Sequence, residues 1–285
     1  MQKTGSNCQQ FSLVAGIATT AEQVLAFDAQ AFPLRRLVQE AVGVEELELL
    51  HTHKPEDLLP SATFKGSSAT WSEQRRLELL QHSLQELWKT SEQRQEFLQL
   101  LPSLIVATIA PQFPKESYFY FQKSPLLRFH LAWPENGDEN IFLNDEQQQQ
   151  KKKRSKPPGA LTTIHTDGSY GHPSTEINFW LPVTLRTYGS NSLMVESEPM
   201  KGDFRPFELD YGAMVQWRGN QNRHFSHRNT TEHTRASFDF RIIPGSAAGH
   251  CDLTAGKFRV GTYYGKVHAV QQAGEGAAGS GLGGC

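Results

Sequence analysis

Apolar side chains in the first third of the chain recur every three or four residues, which is the period of an amphipathic helix. Three helices are predicted: one over residues 28–42, one that begins after Ser72 as its N-cap, and one that begins at Ser91 and contains Pro102. The second helix carries a stripe of leucines at positions 77, 80, 84 and 87. Such a stripe is typical of core packing, so we expect these helices to form a layer against a sheet.

From Ser117 onward the chain changes to short aromatic and β-branched segments in which apolar and polar residues alternate. In the segment 126–133, apolar residues alternate with Arg128 and His130, so one face is apolar and the other can enter a cavity. Many short strands separated by turn residues indicate a sandwich or jelly roll rather than an α/β sheet. The other predicted strands are 118–121, 161–166, 176–182, 191–196, 214–218, 224–227, 236–243 and 257–264.

Two segments lack a periodic pattern. Residues 135–160 include a glutamine run and the basic run Lys151–Arg154, and the tail 269–285 is rich in Gly and Ala. Low-complexity segments cannot bury a core, so we expect both to be disordered. The basic run is interpreted as a nuclear signal or, preferably, as a solvated loop. The predicted organisation is a helical segment 1–116 packed on a β core 117–268, followed by the tail.

Composition limits the classes of function. The chain of 285 residues has 28 Lys and Arg against 30 Asp and Glu, a net charge of -2, so no nucleic-acid partner is expected. No apolar run approaches the roughly 20 residues that cross a bilayer, and the apolar segment 11–18 is too short to favour a secretory signal. Cys8, Cys251 and Cys285 form no CxxC pair, so neither a disulfide framework nor a cysteine zinc site is indicated. A reducing, cytoplasmic location is therefore predicted.

Candidate chemistry concentrates in residues 164–241. His165 and Asp167 are two positions apart, so a strand would place both side chains on one face. An HxD pair alone occurs by chance, and its alternative interpretation is a strand end at the surface. With His224 from a facing strand as third ligand, the group becomes the 2-His-1-carboxylate arrangement of non-haem Fe(II) oxygenases, which leaves coordination positions open. His227 is the alternative third ligand.

An arginine follows the candidate ligands at about the distance of one strand. A 2-oxo acid that chelates Fe(II) leaves its distal carboxylate to be paired, and the guanidinium of Arg235 would pair with it bidentately and stay charged. Ser237, two residues along on the same face, can add a hydroxyl donor. We expect the strands of His224 and Arg235 to lie together in the far sheet of a jelly roll.

This set of residues resembles a known family. His165-X-Asp167, His224 and Arg235-X-Ser237 are similar to the site residues of the 2-oxoglutarate/Fe(II)-dependent dioxygenases, with a strand order like that of the phytanoyl-CoA dioxygenase superfamily. The closest resemblance is to its streptomycin-biosynthesis-type branch. It is carried by the strings HTDGSYGHP, EINFWLP, VES and RASFDFR, which begin at residues 165, 176, 195 and 235.

The resemblance covers roughly residues 117–264, and the insertion before His165 departs from the compact spacing of the family. The family pattern H-x(10)-R-x-S fits His224 rather than His227. It implies a mainly β fold with N-terminal helices, namely a double-stranded β-helix (jelly roll, cupin-like) backed by a helical layer. It also implies Fe(II), with 2-oxoglutarate and O2 as co-substrates, and hydroxylation of a small-molecule C–H bond with release of succinate and CO2. Asp167 argues against halogenation, because halogenases of this type lack the carboxylate ligand.

Further residues are candidates for contacts in such a cavity. If the strand after the HxD pair faces inward, Asn178 could donate to 2-oxoglutarate and Trp180 could wall the pocket, although ordinary packing is the alternative. Arg128 and Tyr170 are candidate substrate contacts, and Arg128 would favour an acidic or amino-acid-like substrate.

Several polar side chains have simpler expectations. His130 is either a core histidine or a substrate contact, and His172 and His233 lie in turn-like sequence and are expected to be exposed. Arg241 and Asp239 are expected to pair with each other.

Two other classes of function stay open at this point. A cupin-like zinc hydrolase or isomerase would use the same three ligands plus water, but it leaves Arg235 and Ser237 without a role. A non-enzymatic jelly-roll binding module leaves the whole ligand set without one. The predicted partner is a small-molecule substrate, without nucleic acid or membrane, and the sequence does not indicate an oligomeric state.

Overall fold

The computed structural model describes residues 22–59, 71–133 and 162–269. The segments predicted to be disordered therefore lie outside the described residues, apart from position 269. The helices are α1 (Leu34–Val42), α2 (Pro55–Leu58), α3 (Glu73–Thr90) and α4 (Glu92–Leu104). The strands are β1 (Gln23–Ala26), β2 (Tyr118–Gln122), β3 (Leu126–His130), β4 (Ile177–Pro182), β5 (Arg186–Thr187), β6 (Leu193–Val195), β7 (Arg205–Pro206), β8 (Leu209–Asp210), β9 (Ala213–Trp217), β10 (His224–Ser226), β11 (Arg235–Pro244) and β12 (Tyr264–His268).

The two long helices begin where the sequence predicts. Ser72 and Ser91 are N-caps whose hydroxyls accept hydrogen bonds of 3.3 and 3.1 Å from the backbone N–H three residues further on. Beyond Pro102, α4 gives way to a π-helical turn, Ile105–Ile109. In the described ranges, no helix is both long and apolar enough to cross a membrane.

The strands pair antiparallel in a large sheet and two small ones. The seven-stranded sheet has the order β1-β9-β4-β11-β2-β12, with β3 also paired to β11. A three-stranded sheet has the order β10-β6-β7, and β5 pairs with β8. The predicted mainly β fold with N-terminal helices is confirmed. The double-stranded β-helix stays a prediction, because the described strands do not form a closed barrel.

One expectation about strand placement is wrong. β10, which carries His224, and β11, which begins at Arg235, lie in different sheets rather than in the same one. The intervening residues 227–234 are long enough for the chain to pass from the small sheet to the large sheet. Side chains of both strands nevertheless line one cavity.

Strand β11 joins the helical layer to the large sheet. Its even-numbered residues from Ala236 to Ile242 are buried in the same apolar core as the helices. The ring of Phe238 stacks on Phe97 of α4, with centroids 4.2 Å apart and planes inclined by 12°. Because strand residues alternate between faces, the odd-numbered residues of β11 point away from the helices. The domain boundaries predicted from sequence stay a prediction, although the described helices and sheet share one core.

A second apolar cluster lies on the other face of the large sheet. It links β4 and β9 to the small sheets and consists of Trp180, Val195, Phe207, Leu209, Val215 and Trp217. Helix α3 covers the edge of β3, where the amides of Gln81 and Gln85 donate to the carbonyl oxygens of Phe129 and Leu127 at 3.3 and 3.1 Å. These contacts satisfy an otherwise unpaired strand edge.

Truncating the shared core should destabilise the whole fold. We expect Phe238→Ala to lower the free energy of unfolding by about 3–5 kcal/mol, because Phe238 is 0% exposed and its removal leaves a cavity. Leu185→Ala is the control, since Leu185 is 58% exposed and should change stability by no more than about 0.5 kcal/mol. Urea denaturation followed by circular dichroism measures both. Similar losses in the two variants would contradict the shared core.

Candidate metal centre

Three side chains from two distant parts of the sequence meet in the narrow cavity. His165 forms a single antiparallel bridge with His224, through backbone N–H to carbonyl bonds of 2.8 and 3.2 Å. Their imidazole rings lie 4.3 Å apart between centroids. One ligand atom from each of His165, Asp167 and His224 lies within 4.8 Å of the others, so this group could hold a metal ion.

Backbone carbonyls fix the orientation of both imidazoles. Nδ1 of His165 lies 2.8 Å from the carbonyl oxygen of Thr163, and Nδ1 of His224 lies 3.1 Å from that of Asn222. A carbonyl can only accept, so each Nδ1 carries the proton and each Nε2 keeps its lone pair. This is the usual hydrogen-bonding pattern of histidines that bind metals through Nε2.

The carboxylate of Asp167 is held on one side only. Asp167 starts a 3₁₀ turn, and its backbone N–H donates to the carbonyl of Gly219 at 2.8 Å. Its Oδ2 accepts bonds from Nε and Nη2 of Arg241 at 3.0 and 2.7 Å and from Nδ2 of Asn178 at 2.7 Å. Its Oδ1 lies 3.6 Å from Nε2 of His224. The oxygen that faces the histidines is therefore the one left for a metal.

Electrostatics keep these groups in the protonation states that bind metals. Burial by itself would raise the pKa of Asp167, but the charge of Arg241, with His224 and the hydrogen bonds, lowers it to about 2. Burial and the neighbouring His165 lower the pKa of His224 to about 4, although the charge of Asp167 opposes this. At neutral pH the carboxylate is ionised and the imidazole is neutral.

Asn178 is fixed between Asp167 and a glycine. Its Oδ1 accepts from the backbone N–H of Gly219 at 3.0 Å, while its Nδ2 donates to Asp167. A Cβ on Gly219 would lie 2.6 Å from Nδ2 of Asn178, so this close approach requires glycine. The structure thus gives Asn178 a contact with a candidate ligand, and its predicted contact with 2-oxoglutarate stays a prediction.

Arg235 is a buried guanidinium without an acidic partner. Its side chain lies over the ring of Trp180, 5.6 Å from the centroid, and Nη1 donates to the carbonyl of Asn191 at 2.8 Å. Arg235 is 2% exposed, its Nε has no hydrogen-bond partner, and no carboxylate of the described residues forms an ion pair with it. Burial and the nearby charge of Arg128 lower the pKa of Arg235 to about 9, so it remains charged at neutral pH. The buried Oγ of Ser237, on the same face, also has no partner.

These groups line a narrow cavity of about 90 Å³ that adjoins a wider one of about 420 Å³. Arg128 and Arg235 line both. Trp180 lines the narrow cavity. Tyr170 is 48% exposed and its ring packs edge-on against His165, 5.2 Å between centroids. Whether Arg128, Tyr170 and Trp180 contact a substrate stays a prediction.

The main contact of Arg241 differs from the one that the sequence predicts. The expected pairing with Asp239 exists, at 3.4 Å from Nη2, but the shorter bonds of Arg241 go to Asp167. The spacing along the strand could have predicted this contact. Arg241 is six residues after Arg235, so both side chains lie on the same face of one strand.

A second buried carboxylate lies next to Arg241. Glu176 lies 3.6 Å from Nε of Arg241 and accepts from the hydroxyl of Tyr264. Nδ1 of His172 lies 2.8 Å from Glu176, and its side chain is largely buried, so the prediction of an exposed His172 is wrong. A carboxylate buried this deeply requires donors, and His172 is one of them.

The other histidines lie outside the ligand group. His130 is buried, with Nδ1 3.1 Å from the carbonyl oxygen of Asn191, and burial lowers its pKa to about 3. His233 is half-buried and lies 2.9 Å from the hydroxyl of Tyr188, so the expectation of an exposed His233 is wrong. His227 is half-buried, packs against the ring of Phe225 and is not among the three clustered ligands.

Comparisons with known proteins show partial similarity to a curated protein and to solved structures. No protein-family model matches the chain. A segment of 112 residues, 38% of the chain, is 34% identical to the "Streptomycin biosynthesis protein StrG" of Streptomyces griseus. The chain spans about half of that protein, 52% of its length. A solved structure titled "Non-heme monooxygenase, ThoJ-Ni complex" matches 45% of each chain with 17% identity and a TM-score of 0.31.

Removing the guanidinium behind Asp167 should weaken metal binding. We expect Arg241→Met to lower the affinity for a divalent metal by about 10- to 100-fold, because Oδ2 of Asp167 loses two of its three donors. Arg35→Met is the control, since Arg35 pairs with Glu48 in a similarly shielded position away from the cavity. Calorimetric titration of the folded variants with Fe(II) or Ni(II) under argon measures the affinity. Equal affinities in the two variants would contradict the positioning role of Arg241.

Proposed function

We propose that the chain is a 2-oxoglutarate- and Fe(II)-dependent oxygenase that hydroxylates a C–H bond of a small molecule. The observation that carries the proposal is the buried, unpaired guanidinium of Arg235 in the same narrow cavity as the His165, Asp167 and His224 group. A metal site alone fits many functions. A metal site beside a cation that lacks an anion fits a co-substrate with a metal-binding end and a carboxylate end.

The donor set supports a non-haem Fe(II) site. Two Nε2 atoms and one carboxylate oxygen come from neighbouring backbone segments, and backbone carbonyls or Arg241 hold the far side of each ligand. Two histidines and one carboxylate with open positions are typical of Fe(II) oxygenases. His165, Asp167 and His224 would hold the metal, and Arg241 and Asn178 would hold Asp167.

The co-substrate end of the cavity supports 2-oxoglutarate. Arg235 would pair with the distal carboxylate, and the unpartnered hydroxyl of Ser237 would donate to the same group. Trp180 under the guanidinium restricts its orientation. Burying a cation without an anionic partner costs free energy. A carboxylate that pairs with Arg235 would remove this cost, which favours its binding.

When bound, Fe(II) and 2-oxoglutarate supply O2 activation coupled to decarboxylation to succinate and CO2, with hydroxylation of the substrate. The chain supplies a site shielded from water. Trp217 packs edge-on against His224, with centroids 4.8 Å apart, and Phe225 also lines the cavity. The partial relative has a name that refers to an antibiotic biosynthesis pathway, which supports a small-molecule substrate.

The alternatives lack a specific observation in their favour. A zinc hydrolase or isomerase would use the same ligands but would leave the buried Arg235 and Ser237 unpaired during its reaction. A binding module would not require the second set of donors that fixes Asp167.

Anaerobic spectroscopy separates these classes. With Fe(II) and 2-oxoglutarate under argon, the purified protein should develop the weak visible charge-transfer band of the chelate, and His165→Ala should not, because it removes a ligand. His268→Ala, which changes a histidine on β12 outside the ligand group, should keep the band. A wild-type protein that binds Fe(II) but gives no band with 2-oxoglutarate would exclude the proposed function.

Arg235 should discriminate oxo acids by their distal carboxylate. We expect Arg235→Gln to raise the Kd of 2-oxoglutarate by about 10- to 100-fold, because hydrogen bonds to a charged group contribute about 1.5–3 kcal/mol. The affinity for 2-oxobutyrate, which chelates identically but lacks the distal carboxylate, should stay nearly unchanged. Titration of the visible band gives both constants. An equal loss for the two acids would mean that Arg235 acts on the fold or the metal instead.

A further inference from the structure

The inward face of β11 carries one charge that the proposed function does not use. At alternate positions this face presents Arg235, Ser237, Asp239 and Arg241. Asp239 lines the narrow cavity together with the candidate ligands, and its side chain is 15% exposed. Its Oδ1 is buried and has no hydrogen-bond partner, while Oδ2 reaches only Nη2 of Arg241, at 3.4 Å. Oδ1 of Asp239 is therefore a buried hydrogen-bond acceptor without a donor among the described residues.

Arg128 supplies an unused charge of the opposite sign. It lies directly across the strand pair from Ser237 and lines both the narrow and the wider cavity. Arg128 is exposed, its guanidinium forms no ion pair or hydrogen bond with any described residue, and its charge acts on Arg235. Arg128 therefore belongs electrostatically to the cavity, at the side where the cavity widens.

The two unused charges do not neutralise each other. Arg128 and Asp239 are both described, and no ion pair joins them, although both line one cavity of about 90 Å³. Arg241 is committed to Asp167 by two short hydrogen bonds, and Arg235 has the distal carboxylate of the co-substrate as its proposed partner. Asp239 keeps a buried Oδ1 without a donor beside its 3.4 Å contact with Arg241, and the exposed Arg128 faces the same cavity. A ligand with both signs would pair with each of them.

We infer that the substrate is a zwitterion of the amino-acid type, whose ammonium group binds Asp239 and whose carboxylate binds Arg128. This inference rests on the proposed function, because it assigns the co-substrate to Arg235. Asp239 adjoins Arg241, which holds Asp167, whereas Arg128 extends into the wider cavity. The ammonium group would therefore lie nearer the metal ligands than the carboxylate does.

Binding measurements on matched compounds test the inference. The probes are the free L-amino acids, each compared with its N-acetyl derivative, which lacks the cation, and its carboxamide, which lacks the anion. They are titrated calorimetrically into the full chain loaded with Fe(II) and 2-oxoglutarate under argon. At least one free amino acid should bind at least about tenfold more tightly than both of its derivatives, because the N-acetyl derivative leaves the largely buried Asp239 without a cation and the carboxamide leaves Arg128 without an anion.

Two variants assign the charges to their residues. Asp239→Asn should weaken binding of the free amino acid at least about tenfold and leave the affinity for its N-acetyl derivative unchanged. Arg128→Gln should weaken binding of the free amino acid by a similar factor and leave the affinity for the carboxamide unchanged. Asp210→Asn, which changes a largely exposed carboxylate on β8, should leave all three constants unchanged.

The outcomes separate this inference from the proposed function. If the visible band with 2-oxoglutarate forms but no free amino acid binds more tightly than its derivatives, the substrate class is wrong and the oxygenase proposal stands. If Asp239→Asn or Arg128→Gln lowered the affinity for all three compounds equally, the inference would also be overturned. Loss of the band in Arg128→Gln would assign Arg128 to the co-substrate instead of the substrate.

Discussion

The alternation of side chains along β11 is the constraint on which the fold and the candidate site both depend. Its even-numbered residues, such as Phe238, are buried against the helices, and its odd-numbered residues face the cavity. Because a strand has a period of two, the packing that fixes one face also fixes the other. A shift of one residue in its pairing with β4 would bury charges among the helices and turn phenyl rings toward the candidate metal ligands.

The charges on the cavity side differ in whether the protein satisfies them. The carboxylate of Asp167 receives three hydrogen bonds, and Glu176 lies among His172, Tyr264 and Arg241. These groups are fixed before any ligand arrives. Arg235 and Asp239 keep buried atoms without partners. A buried charge without a partner costs free energy. The groups with partners therefore hold the candidate metal ligands in place, and the groups without partners indicate which charges a bound molecule would carry.

The candidate metal ligands depend on local backbone contacts more than on the sheets. His165 belongs to no extended strand and is held by one bridge to His224. Asp167 lies in a turn whose N–H bonds to Gly219, and the same glycine lets Asn178 approach the carboxylate. These contacts place three ligands within reach of one ion although they come from a turn, a bridge and a short strand.

Much of this was determined by the sequence alone. Serine N-caps, leucine spacing and alternating segments located the long helices and most strands, because these signals are local. The spacing from His224 to Arg235 in the family that the sequence resembles selected the candidate ligand from two nearby histidines. The strand predicted over residues 161–166 is wrong in its described part, because His165 forms a single bridge and Asp167 starts a 3₁₀ turn.

Only the tertiary structure decided how distant groups meet. It separated β10 from β11 into different sheets, buried His172 against Glu176 and turned Arg241 toward Asp167. It also left Arg128 and Asp239 in one cavity without an ion pair between them. The physical reason is that period and propensity act over a few residues, whereas the pairing of buried charges depends on which strands the fold brings side by side.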